Sequence, residues 1–478
     1  MPTSPQPAPR NAAAGFILGW GLLPRERRQV PLISVIAAGL LALCLIYSWQ
    51  RFLWFFHDEL HRGAAYSDLN DFLLVGRMAL SGKLAQAYSL SAMHLAQVAD
   101  GYTGTFLPWV YPPPYDLIVA GLARLGPPLA FAVFVVVPFL GTLWLIRRIA
   151  GPRFSEVVIC LFPGFYICLA CGQNGFVTAG LLGAFGVASL SGSAAAGVPF
   201  GLLIIKPHLG LLVGLQCLMT RRWRTLGVAL AVAGGASLAA TLAFGLPVWL
   251  WFLHAAHGAS AALAEGRYTL HYMISPYATL RAAGVPAELS LALQGALALF
   301  AIAMTWRLAR GAGDPRIAQG LILALSLFVT PYALDYDTPI LAVAAAFLAG
   351  PILERANRWQ LAAIPALCWI ISGSVLFNWV TSPTRLGLGT TGTQPVSFAG
   401  LAYVMLVALI LWVLREALVA PGQPALNCTT DQGFAFWKGS RSFRQSPCQT
   451  LANQLGRTGS DATTRTASST SASEKFNG

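Results

Sequence analysis

The sequence predicts an all-α, polytopic membrane protein. Three observations carry this. Of 478 residues, 56% are hydrophobic and only 10% charged, whereas a soluble domain carries about 25% charged residues. The apolar residues, which give a mean hydropathy of +0.62, come in long runs that are apolar on all sides, unlike the short alternating segments of a β-barrel. The basic excess, 31 Lys+Arg against 18 Asp+Glu, falls mostly as arginine clusters between those runs. That is the positive-inside pattern and not a nucleic-acid surface. Soluble multi-domain enzymes, disordered proteins and nucleic-acid binders are excluded as classes.

The elements follow in order. Residues 1–30 form a cytoplasmic segment carrying Arg25-Glu26-Arg27-Arg28, and 31–53 is the first span. No cleavable signal peptide is expected, because the first apolar run is itself a full span. Residues 54–113 are polar and slightly acidic and belong outside. Residues 114–125 are apolar but short. Twelve helical residues reach about 18 Å, against a hydrocarbon core of about 30 Å, so they are expected to lie along the surface. This keeps Arg147, Arg148 and Arg153, after the span 129–148, on the cytoplasmic side.

Further spans are expected near 155–171, 175–190, 194–206, 208–220, 223–245, 286–309, 317–332, 338–352, 359–379 and 397–418. This gives about twelve transmembrane helices with both termini cytoplasmic. The segments 194–206 and 208–220 share a break at Lys206-Pro207. Broken helices are tolerated only where protein or a wet cavity satisfies the freed backbone. Residues 31–418 thus form one membrane domain, with outer loops at 54–125 and 246–285. Residues 419–478, rich in Ser, Thr, Gln and Arg, read as a disordered cytoplasmic tail. The eight cysteines form no framework. Cys168 and Cys171 have C-x-x-C spacing without a second pair, so they read as small buried side chains.

This topology sends the unusual polar residues to one face. The acidic loop, the turn Gly172-Gln173-Asn174-Gly175, the break Lys206-Pro207-His208, the loop 246–285 and the stretch Thr330–Asp337 all fall outside. Ionisable groups at membrane depth are costly and mark function by default.

The same residues carry a family resemblance. Asp68-Leu69-Asn70-Asp71-Phe72, Ala79-Leu80-Ser81-Gly82 with Ala87-Tyr88, Trp109-Val110-Tyr111-Pro112-Pro113, Gly172-Gln173-Asn174-Gly175, Ile205-Lys206-Pro207-His208 and Thr330-Pro331-Tyr332 through Asp337 resemble, in order, the motifs of glycosyltransferase family 87. The resemblance covers roughly residues 31–415. It implies a GT-C type fold in the inner (plasma) membrane, with the active site on the outer face. The implied activity is transfer of a mannose-like hexose from a polyprenyl-phosphate donor to the hydroxyl of a glycan or glycolipid acceptor.

Such chemistry needs a carboxylate to take the hydroxyl proton and cationic or dipolar groups for the leaving phosphate. With the resemblance, Asp68 is the candidate base; by itself it reads as a cap of the helix that follows or as a solvated loop charge. Asp58 and Asp71 are rivals and candidate substrate contacts. Lys206 is one of four lysines and a candidate for the donor phosphate, with snorkelling as the alternative. His208, Gln173 and Asn174 are further phosphate candidates, or helix caps. Tyr111, Arg267, His271, Tyr332, Asp335 and Asp337 are candidate substrate contacts. Asp335 and Asp337 are only a weak signal for a divalent cation, so no cofactor and no metal site are expected. In loop 246–285, Trp249, Trp251, His254 and His257 suit an interfacial helix.

No Walker motif, H-E-x-x-H or G-x-S-x-G occurs, which removes nucleotide-driven pumps and the common membrane hydrolases. A transporter or flippase of lipid-linked sugars is the remaining rival class.

Overall fold

The structure is a computed structural model. It describes residues 30–57, 67–102, 107–311, 313–380 and 397–419. All belong to one compact unit, Met1–Pro424; the second unit, Ala425–Gly478, with most of the expected tail, lies outside the described residues, as does Asp58.

Among the described residues the regular structure is all helical, apart from a single isolated bridge between Met273 and Leu334. Every apolar run expected from the sequence forms helix. Among the described residues, six stretches are long and apolar enough to cross a membrane: Pro127–Cys171, Trp223–Phe244, Ala287–Arg310, Asp335–Arg355, Arg358–Phe377 and Ala399–Leu418. Five apolar helices are shorter: Ile33–Trp49, Gly175–Leu190, Ala194–Ile205, Pro207–Met219 and Pro315–Val329. Long helices keep wide apolar faces open. Leu242 is 79% exposed and Trp223 63%, as suits side chains meeting lipid tails.

Prolines set many boundaries. Pro113, Pro247, Pro276, Pro315 and Pro339 open helices, where the missing N–H costs nothing. Pro138 is preceded by a π-turn at Ala132–Val136, because its ring and missing N–H disturb the turn before it. The break at Lys206 has the same origin. The helix Gly197–Leu202 tightens into a 3-10 turn, Leu203–Ile205, and Lys206 leaves helical geometry at φ −143° and ψ 72°. A residue before proline is pushed out of the α region. The chain then resumes as a 3-10 turn, Pro207–Gly210, and the helix Leu211–Met219.

The segment expected to lie along the surface is the eleven-residue helix Pro113–Ala123, about 16 Å long. It packs closely against the helix Asp68–Leu80. The loop 246–285 contains the helices Pro247–Ala264 and Pro276–Ala282. Between them the chain pairs with the segment before Asp335: the Ile274 N–H donates to the Ala333 carbonyl at 2.9 Å.

Candidate active site

The turn Gly172–Gly175 organises the site. The helix Phe154–Cys171 ends at Gly172 in the left-handed region, φ 69°, which glycine enters without a Cβ penalty. A Cβ on Gly172 would lie 2.8 Å from Leu69 Cβ, and one on Gly175 would lie 1.8 Å from the Tyr336 carbonyl oxygen. The turn is therefore wedged between the start of the Asp68 helix and the 3-10 turn Asp335–Asp337. Only glycine permits that approach on both sides.

This wedge makes Gln173 the neighbour of Asp68. Gln173 Nε2 donates to Asp68 Oδ2 at 2.7 Å. Gln173 Oε1 accepts from the Asn174 N–H at 3.1 Å and from the Tyr111 hydroxyl at 3.3 Å. Asp68 does not cap its helix. Ser67 stands at the cap, and Asn70 Oδ1 accepts from its N–H at 3.0 Å and its hydroxyl at 2.9 Å. Asp68 Oδ1 has no hydrogen-bond partner among the described residues. Burial pushes the Asp68 carboxyl up to about 6, against the lowering by the Gln173 amide and the Lys206 charge.

Lys206 is neither a bare cation nor a snorkelling one. Its Nζ donates to Asp337 Oδ1 at 2.8 Å, and the two side chains are 8% and 3% exposed. The ammonium also lies 4.8 Å from the centre of the Tyr336 ring. Asp337 Oδ2 accepts the Leu334 N–H at 3.3 Å. The pair thus holds the break at Lys206 against the turn at Asp335. Asp335 is buried, and its Oδ1 accepts the Tyr336 N–H at 2.8 Å. It lies within electrostatic reach of Asp68 and Asp337. No group of three or more His, Cys, Asp or Glu that could hold a metal ion occurs among the described residues.

Other candidates stand differently. Asp71 turns to the helix Leu90–Ala99, where Gln97 Nε2 donates to its Oδ1 at 2.9 Å and Oδ2 at 3.0 Å. Asn174 is fully buried and gives an N–H to the Tyr115 hydroxyl at 3.1 Å, so it supports the site from behind. His208 is exposed beside Lys206. Arg267 lies past the end of the helix Pro247–Ala264, is largely exposed and pairs with Glu265. Its i, i+4 spacing to His271 is not a helical face, because His271 sits in the separate 3-10 turn Leu270–Tyr272. Burial lowers His271 from the usual histidine range. Tyr332 packs edge-on to Tyr268 at 5.7 Å, in a small apolar cluster with Leu263, Leu270 and Met273.

Asp116, in the short apolar stretch 114–125, is not among the candidate site residues of the sequence. It is fully buried. Its Oδ2 accepts the Tyr88 hydroxyl at 2.7 Å and its Oδ1 the Trp109 indole N–H at 3.0 Å. Tyr88 also reaches the Tyr111 carbonyl at 2.9 Å. Tyr111 stacks on Tyr115 at 4.2 Å, and Phe72 meets Trp109, Tyr111 and Tyr115 edge-on. The signal available was a carboxylate amid aromatics just after Pro112-Pro113-Pro114. Tyr88→Phe is expected to lower thermal stability of the purified protein, by about 1–3 kcal/mol, because it leaves a buried carboxylate oxygen underbonded. An unchanged melting curve would show that Tyr88 does not hold this loop.

Residues brought together here come from five separate stretches, and the middle three lie within one segment that a family model matches. The profile of glycosyltransferase family 87 matches residues 109–331. The match supports the assignment to that family which the sequence motifs suggest. The match supports a membrane glycosyltransferase with a sugar donor and an acceptor, in keeping with the long apolar helices. No curated protein and no solved structure matches the chain. The matched segment carries Tyr111, Gln173, Asn174 and Lys206, while Asp68 lies before it and Asp335 and Asp337 just beyond.

Proposed function

We propose that this glycosyltransferase moves a mannose-like hexose from a polyprenyl-phosphate donor to a hydroxyl of a glycan or glycolipid acceptor. The reaction takes place on the outer face of the inner membrane, in a GT-C type domain of about twelve crossings with both termini cytoplasmic. No metal is required. Asp68 Oδ1 accepts the proton of the acceptor hydroxyl. The hydroxyl oxygen attacks the anomeric carbon as the bond from that carbon to the phosphate oxygen breaks, and the single displacement inverts the centre. The electron pair of the broken bond leaves on the polyprenyl phosphate. Lys206 has three N–H donors, and Asp337 occupies one; the others are available to the phosphate.

The observation that carries this reading is the joint one. The Asp68 carboxylate, with one oxygen unpartnered among the described residues, is held by Gln173 of the Gly-flanked turn, and the 3-10 turn that carries Asp337, the buried partner of Lys206, packs against Gly175 of the same turn. A proton acceptor and a cation a short distance apart suit an acceptor hydroxyl on one side and a leaving phosphate on the other. The raised Asp68 adds to it, since a base is most effective when its pKa approaches the working pH.

The test is direct. Purified protein in detergent is mixed with a synthetic polyprenyl-phosphoryl mannose and a glycolipid acceptor, with and without a chelator. Transfer that survives the chelator is expected. Movement of the lipid-linked sugar in vesicles, with no transfer in detergent, would instead establish a flippase.

A further inference from the structure

We infer that Gln173 is the positioning residue of this site, aiming Asp68 by holding its Oδ2 so that Oδ1 alone faces the acceptor hydroxyl. The inference rests on the reading of Asp68 as the base.

The argument begins with the amide's orientation. Amide oxygen and nitrogen are assigned from their surroundings, and here the surroundings decide. Gln173 Oε1 faces the Asn174 backbone N–H at 3.1 Å, a group that can only donate. A reversed amide would set N–H against N–H there. It would also set an oxygen 2.7 Å from the Asp68 carboxylate, where Nε2 now donates. The amide therefore has one workable orientation, with its donor towards Asp68.

The same oxygen accepts the Tyr111 hydroxyl at 3.3 Å. Tyr111 is itself fixed: its ring stacks on Tyr115, whose hydroxyl takes an N–H from Asn174, and its carbonyl accepts from Tyr88. Gln173 thus joins two segments, the Tyr111 loop and the Asp68 helix, on a turn that glycines clamp on both sides. A side chain held at both ends of its amide makes a rigid support, and the carboxylate it holds loses rotational freedom about its last bond. A group fixed in this way acts through another residue and needs no contact with substrate.

A neutral donor to a carboxylate also favours the ionised form. Gln173 hence keeps Asp68 ionised to lower pH than burial alone would allow. This yields a readout that a merely structural role would not move. Asp68 works as a base only when ionised, so kcat/KM falls as pH drops through its pKa, near 6 in the native enzyme. Without the Gln173 donor that limb moves up.

The experiment compares the native enzyme with Gln173→Met, Gln173→Glu and Asp68→Asn, as full-length protein in detergent with a polyprenyl-phosphoryl mannose donor. Gln173→Met is expected to move the acidic limb up by about one pH unit, with kcat down about tenfold or more and donor KM within about twofold of native. Gln173→Glu, which sets a second carboxylate against Asp68, is expected to move the limb further. A limb that stays in place while donor KM rises would make Gln173 a phosphate ligand and overturn the inference. Activity reduced equally at every pH, or two variants that both fail to fold, would reduce it to scaffold and overturn the inference as well. Failure of the underlying reading looks different: Asp68→Asn would then keep native kcat and the native enzyme would show no acidic limb.

Discussion

Asp68→Asn is expected to reduce sugar transfer by about 10²–10⁴-fold, the usual worth of a general base, while thermal unfolding of the purified protein stays unchanged. The substitution suits the site's hydrogen bonding. Gln173 Nε2 donates to one oxygen of Asp68, and an asparagine oxygen in that place would still accept. The amide nitrogen then stands where the unpartnered Oδ1 was and cannot take a proton. Helix start is unaffected, since Ser67 and Asn70 make the cap. Both measurements matter: lost activity with a lowered melting point would describe a folding lesion. Full activity would move the base elsewhere, and inactivity in Asp335→Asn would then point to Asp335, a buried carboxylate within electrostatic reach of Asp68.

Lys206→Met is expected to damage the protein in two separable ways. Asp337 would be left as a buried carboxylate without its ion-pair partner, which costs about 3–5 kcal/mol; both side chains are less than a tenth exposed, so solvent offers little relief. Transfer would also stop, because the leaving phosphate loses its cation. The double variant Lys206→Met with Asp337→Leu separates the two effects. Replacing both members of a buried pair by apolar residues is often neutral for stability, so melting should return close to native while transfer stays absent. A double variant that regains both would make the pair a structural clamp. A single variant that melts like the native protein would show that Asp337 finds another partner.

Much of the fold was legible in the sequence. Hydropathy located the long apolar helices, because a residue's preference for lipid or water belongs to the residue and sums along a run. Local stereochemistry was legible too: Lys206-Pro207 announced a break, and the break is there. Lengths were less so. Of the expected crossings, those at 194–206 and 208–220 contain only short α-helical pieces joined by 3-10 turns, since proline effects spread over several residues.

The candidate site was legible as a set of residues and not as a set of partnerships. Asp68 and Asp71 sit three residues apart on one helix, and Asp71 stood as a rival to Asp68. The structure gives Asp68 to Gln173 and Asp71 to Gln97. That choice depends on which neighbour packs against each side of the helix. Asp116 was passed over because a carboxylate near the end of an apolar stretch ordinarily reaches water, and here Tyr88 and Trp109 close over it.

The amino-acid order alone determined that this chain is a bundle of apolar helices and that its costly polar groups recur at the breaks between them. Those are properties of single residues and short runs. Tertiary structure decided who meets whom: Lys206 with Asp337 across 131 positions, Gln173 with Asp68 across 105. Such pairings follow from where helices pack, and a hydrogen bond a few tenths of an ångström too long or misaligned is lost. No local pattern carries that information.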